Sequence, residues 1–173
     1  MADYPDLNTL RIIRYPEEVL RVKAAPIPEP DGFLRALAER MNELMREAGG
    51  IGLAANQVGW PRRFVIINLT GEDGRYEAFI NPVIVERAGH QKEEEGCLSI
   101  PGVSARVRRA ARVVVEATAL DGRKLRLAAE GLLARAWQHE VDHLDGTLFI
   151  DKIGPAARLM LRSRLRELEE ARA

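Results

Sequence analysis

The chain has 173 residues, with 26 basic and 26 acidic side chains and so no formal net charge. That length accommodates one domain with a substantial core, and the balanced charge leaves no overall field to gather DNA or an anionic membrane. A single cysteine excludes an intramolecular disulfide and points to a reducing compartment, and no apolar run reaches membrane-spanning length.

In chain order, the start Met1-Ala2-Asp3-Tyr4-Pro5 has neither a signal nor a transit pattern, so a cytoplasmic location is expected. Pro26, Pro28 and Pro30 mark a short extended connection. Apolar residues at Phe33, Leu34, Leu37, Met41, Leu44, Met45 and Ala48 then predict a helix over 33–48. Segment 50–59, Gly-Ile-Gly-Leu-Ala-Ala-Asn-Gln-Val-Gly, is apolar and punctuated by glycine. It lacks G-K-[ST], which excludes a phosphate loop. It reads either as the stop of that helix or as an extended edge, where Gly52 lets a peptide backbone approach and Gln57 supplies a side-chain amide.

Phe64 to Leu69 reads as a strand, Gly71-Glu72-Asp73-Gly74 as a turn, and Phe79 to Glu86 as a second strand in which Pro82 predicts an edge or a bend. The Lys/Glu run after His90 reads as an exposed loop. Val113 to Ala117 and Lys124 to Leu127 flank Asp121-Gly122, a hairpin signal. A helix follows from about Gly131 to Asp145, stopped by Gly146. Pro155 opens a terminal segment to Ala173, with Leu161, Leu165 and Leu168 at helical spacing. Helices mixed with antiparallel hairpins give an α+β class.

The chemistry concentrates in Gln138-His139-Glu140-Val141-Asp142-His143, an H-E-x-x-H motif in a chain with three histidines. Positions i and i+4 share a helix face, so His139 and His143 can hold one metal ion, with Glu140 beside them for proton transfer. Leu132, Leu133, Ala136, Trp137, Val141 and Leu144 make this helix apolar around much of its circumference. Buried histidines and a glutamate need partners, and a metal supplies them.

A third ligand is still required. The H-E-x-x-H-x-x-G-x-x-H pattern holds as far as Gly146 but has Phe149 at its last position. Glu167, Glu169 and Glu170 sit in a charged terminal segment, and His90 beside the loop-like run. Cys97 remains, within Glu-Gly-Cys-Leu-Ser-Ile-Pro-Gly at 95–102. It is either a buried free thiol or, in a constrained turn, a thiolate ligand that leaves one tetrahedral position for water. Asp142, offset from the ligand face, is expected to pair with Arg109 or Arg108 and to stay out of the chemistry.

Together, Gly-Ile-Gly-Leu-Ala-Ala-x-Gln at 50–57, Glu-Gly-Cys-Leu-Ser at 95–99 and Gln-His-Glu-x-Asp-His at 138–143 resemble the three signature motifs of peptide deformylases, in that family's order and separations. The resemblance implies small antiparallel sheets packed around the histidine-bearing helix, in a single domain over 1–173 with a C-terminal helix over 155–173. It implies a hydrolase that removes the N-formyl group from the initiator methionine of nascent chains. The implied metal ligands are Cys97, His139 and His143, around one divalent ion, typically Fe²⁺, with Zn²⁺, Ni²⁺ or Co²⁺ able to replace it. Glu140 would carry the proton, the Gln57 side-chain amide and the backbone N–H of Leu98 would meet the oxyanion, and Ile51, Gly52, Gly96, Leu132 and Ala136 would line the substrate cleft. Ser104 departs from the large residue often found there, which bears on the outer rim of the groove.

A metallopeptidase using the same H-E-x-x-H chemistry is the alternative within this class. A silent binding module with a structural metal is the alternative outside it, but that leaves Glu140 without a role and lacks a fourth protein ligand. Arg158, Arg162, Arg164 and Arg166 make the terminal segment a candidate ribosome-docking surface, diluted by Glu167, Glu169 and Glu170.

Overall fold

The computed structural model describes residues 4–72 and 74–171. The start Met1-Ala2-Asp3, Asp73 of the expected turn and the last two residues of the 155–173 segment lie outside the described residues. Helix α1 spans Phe33–Glu47, strand β1 Gly52–Ala54, β2 Phe64–Ile67, β3 Glu77–Ala88, β4 Gln91–Cys97, β5 Ile100–Arg109, β6 Arg112–Thr118, β7 Lys124–Glu130, helix α2 Gly131–Leu144 and helix α3 Pro155–Glu170. Every strand pair is antiparallel: one sheet runs β1-β2-β3-β6-β7, and β4 pairs with β5 alone. The expected α+β class holds, and β1 is an edge strand.

Helix α2 lies against the five-stranded sheet. Its Ala134, Trp137, Val141 and Leu144 pack with Val65, Ile67, Phe79 and Val115 from β2, β3 and β6, and Trp137 meets Phe79 edge-on with ring centroids 4.7 Å apart. That apolar stripe turns the opposite helix face, with its two histidines, toward the two-stranded sheet. Helix α1 covers the other side of β1 and β2 through Leu34, Leu37, Met41 and Met45. Helix α3 packs Leu161, Leu165 and Leu168 against Ile100, Val103 and Val107 of β5. Gly146 ends α2 at φ +72°, and a Cβ there would lie 2.3 Å from the Arg21 carbonyl oxygen, so only glycine fits.

Two expectations need correction. The run after His90 is not a loop but β4, paired from Gln91↔Arg109 to Gly96↔Ser104. It shows no apolar alternation because its one buried residue is Glu95, which faces the buried Arg109. β3 is longer than expected, whereas Pro82 falls at the bend that the sequence allowed, just past Ile80, where the pairing with β2 ends. It is tolerated at a bulge, where the β3–β6 register shifts between Ile80 and Val83 and Asn81 adopts φ +52°. The Asn81 side chain secures that bulge by accepting from Ile27 N at 2.9 Å and donating to Ile27 O at 2.7 Å.

Candidate metal centre

His139 and His143 stand one turn apart on the face of α2 opposite Trp137, with their Nε2 atoms 3.1 Å apart. Cys97 ends β4 beside them, its Sγ 3.3 Å from His143 Nε2. One donor atom from each of the three residues lies within 4.8 Å of the other two. A tetrahedral first-row cation with N and S ligands places neighbouring donors roughly 3.3–3.6 Å apart, and the 3.1 and 3.3 Å separations about His143 Nε2 lie near that range.

The groups behind these donors fix their orientation. His139 Nδ1 lies 3.3 Å from Glu95 Oε2, which places its N–H there and leaves Nε2 free as a ligand. Arg109 grips Glu95 through two 2.9 Å hydrogen bonds from Nε and Nη2, and its Nη1 donates to Asp142. Lys152 adds a second cation to Asp142 at 3.2 Å. The expected Asp142–Arg109 pair is therefore present, and the chain of contacts runs on to a histidine. Burial alone would raise the Glu95 carboxyl, but the hydrogen bonds from His139 and Arg109 outweigh it and hold the pKa at about 2. His143, fully buried and facing His139, is held well below the ordinary imidazole range.

Glu140 lies on the same turn as His139, 4% exposed. Burial pushes its carboxyl up to about 7, and its Oε2 has no hydrogen-bond partner. The glycine in β1 explains how it fits: a Cβ on Gly52 would lie 2.5 Å from Glu140 Oε1. The close approach anticipated at Gly52 is thus, first, to Glu140. Gln57 is fully buried in the 3₁₀ turn after β1, where Ala54 N donates to its Oε1 at 2.9 Å. That contact turns Nε2 toward the centre, 3.2 Å from Ser99 Oγ and 3.5 Å from Cys97 Sγ.

A cavity of about 630 Å³ opens over these groups. Gln57, Cys97, Leu98, His139 and Glu140 line it, and so do Ile51, Gly52, Gly96, Leu132 and Ala136, while His143 lies beneath. Three distant sequence segments therefore meet at one site. His90 sits on the exposed corner between β3 and β4, outside the donor cluster. Three contributors escaped the sequence reading. Glu95 was hidden by its place in an acidic run, Ser99 by its ordinary chemistry, and Arg135, four residues before His139, by lying outside the H-E-x-x-H pattern.

A family model described as polypeptide deformylase matches residues 9–158. A peptide deformylase of Acidobacterium capsulatum is 46% identical over 162 residues, covering 92% of this chain and 95% of that protein. The crystal structure of a peptide deformylase from Legionella pneumophila superposes with a TM-score of 0.86 at 38% identity, over 95% of this chain and 98% of the other. That of the Thermus thermophilus enzyme gives 0.86 at 40% identity, over 94% and 98%.

Proposed function

The chain belongs to the polypeptide deformylase family, and from that premise we propose how its own residues carry out the family's reaction. The protein is a metal-dependent hydrolase that removes the N-formyl group from the N-terminal methionine of nascent chains and releases formate. Cys97, His139 and His143 would hold one divalent cation, ferrous iron in the cell, with zinc, nickel or cobalt able to take its place. When bound, such an ion supplies Lewis-acid polarisation and lowers the pKa of a water toward neutrality.

Glu140 takes a proton from the attacking water, and the water oxygen adds to the formyl carbon. The carbonyl oxygen becomes an oxyanion, met by Gln57 Nε2 and the backbone N–H of Leu98; loss of one such donor typically costs on the order of 10²–10³ in rate. Glu140 returns the proton to the amine nitrogen, the C–N bond breaks and formate leaves. The Ala54–Gln57 contact supports this assignment, because it sets which end of the amide faces the site. Ile51, Gly52, Gly96, Leu132 and Ala136 would receive the methionine and the chain behind it.

The observation that carries this reading is Glu140: a buried carboxylate with a free oxygen beside three converging ligands. Formate release from formyl-Met-Ala-Ser, set against the acetylated and the unblocked peptide, tests it; equal cleavage of all three would point to a peptidase. Residues 1–173 are read as one domain with α3 as its C-terminal helix. Because the substrate is a nascent chain, the working location is the cytoplasm. Helix α3, with Arg158, Arg162 and Arg166 exposed, would dock on ribosomal RNA.

A further inference from the structure

Arg135 stands one turn before His139 on α2 and lines the same cavity. Its Nη1 donates to the Glu94 carbonyl oxygen at 3.1 Å, and its Nε is buried with no hydrogen-bond partner. Among the described residues no carboxylate reaches its guanidinium within ion-pair distance. Arg109 shows the contrast, with Glu95 and Asp142 both engaged. The acids near Arg135 are already committed: Glu95 to Arg109 and His139, and the Glu94 carboxylate to the Ser104 hydroxyl. A half-buried guanidinium has five N–H donors to satisfy, and desolvation makes an unpaired charge costly. The cavity is the side from which a ligand can reach it.

We propose that Arg135 is a specificity-determining residue that favours nascent chains with an acidic side chain at one of the two positions after formyl-methionine; this rests on the deformylase reading above. On this proposal the formyl carbon lies beside His139 and Glu140 and the peptide runs along α2 toward Leu132, a cavity residue 55% exposed. Arg135 lies between the two, roughly 6 Å along the helix axis from His139. An extended peptide advances roughly 3.3 Å per residue, so its second and third residues pass within reach of the guanidinium. Gly96 and Ser104, paired across β4 and β5, add no bulk to that wall. A carboxylate there receives the planar fork of donors in a partly desolvated site, where a charge-assisted hydrogen bond is strong. The exposed Glu94 carboxylate, screened by solvent, offsets this little.

The test is kcat/KM of the metal-loaded enzyme on C-terminally amidated formyl-Met-Ala-Ala and on versions with Glu or Lys at the second or third position. Glu is expected to exceed Lys by about tenfold at low salt at one of those positions, with the gap narrowing as salt is added. Arg135→Met keeps the aliphatic stem and should bring the Glu:Lys ratio to about one, while Arg135→Lys should retain part of it. A ratio cancels any general loss of folding or turnover. A wild-type ratio near one, or a preference that persists in Arg135→Met, overturns the role of Arg135 while turnover of the neutral peptide upholds the reaction. No turnover of the neutral peptide by the wild type would remove both.

Discussion

Glu140 owes its position to a missing side chain as much as to its own contacts. A Cβ on Gly52 would fall 2.5 Å from Glu140 Oε1, so Gly52→Ala should displace the carboxylate and lower turnover by on the order of 10²-fold or more, with bound metal retained. Glu140→Gln keeps the volume and leaves the ligand set intact; it should bind metal as the wild type does and lose nearly all turnover. Deformylation by that variant at close to the wild-type rate would take proton transfer away from Glu140. Arg109 is fixed in the opposite manner, by charge. It is 5% exposed and engages both Glu95 and Asp142, so Arg109→Met leaves the buried Glu95 without its guanidinium and Asp142 with Lys152 alone. Removing one partner of a buried ion pair costs about 3–5 kcal/mol, a loss that denaturant titration would read. Since Glu95 also orients His139, metal affinity should fall with stability, by about 10–100-fold. Unchanged metal affinity in that variant would separate the ion pair from the ligand.

Elements differ in how plainly their residues announce them. Helix α1 was legible to within a residue of its end, because Leu34, Leu37, Met41 and Met45 recur at helical spacing and are buried on one face. The motif helix was legible through Gly146, and the β6–β7 hairpin through Asp121-Gly122. β4 was not, since its buried position is an ionised Glu95 that only β5, folded back to bring Arg109 opposite, makes tolerable. Local pattern carries apolar burial well and long-range charge pairing hardly at all. The same limit hid the anchoring of α3. Tyr15 donates its hydroxyl to Glu169 at 2.5 Å, while Tyr15 N donates to Ser99 O at 2.8 Å, so one residue joins the terminal helix to the cysteine segment. Burial, helped by that hydrogen bond, pushes the Tyr15 hydroxyl up to about 12 from 10.0. A folded-state pKa above the unfolded value means that the contact's contribution is complete below pH 10 and is lost as the pH rises to about 12. The melting temperature should therefore fall more steeply over that window in the wild type than in Tyr15→Phe. Parallel curves would show that this contact adds nothing.

For the whole molecule, the formal charge is zero, yet α3 gathers exposed arginines, so any attraction to RNA must be local and sensitive to salt. The family model ends at residue 158, which leaves most of α3 outside the part matched by the family model. Its inner face is structural: Leu161, Leu165 and Leu168 cover Ile100, Val103 and Val107, and Arg164 lies over Gly102, with its Nη2 3.1 Å from where a Cβ would stand. Cutting the chain at Gly154 would therefore expose the β5 core and confuse docking with folding. The cleaner experiment changes the outer face alone, as Arg162→Glu with Arg166→Glu, both exposed and in no ion pair among the described residues, unlike Arg164 with Glu167. Co-sedimentation with ribosomes should weaken, and the slope of log affinity against log salt should shrink by about two if both arginines meet phosphates. Turnover of a short formyl-peptide, which needs no ribosome, should stay at the wild-type level, because neither residue lines the cavity. Equal pelleting of variant and wild type across the salt series would take α3 out of any docking role and leave it as the cover of β5.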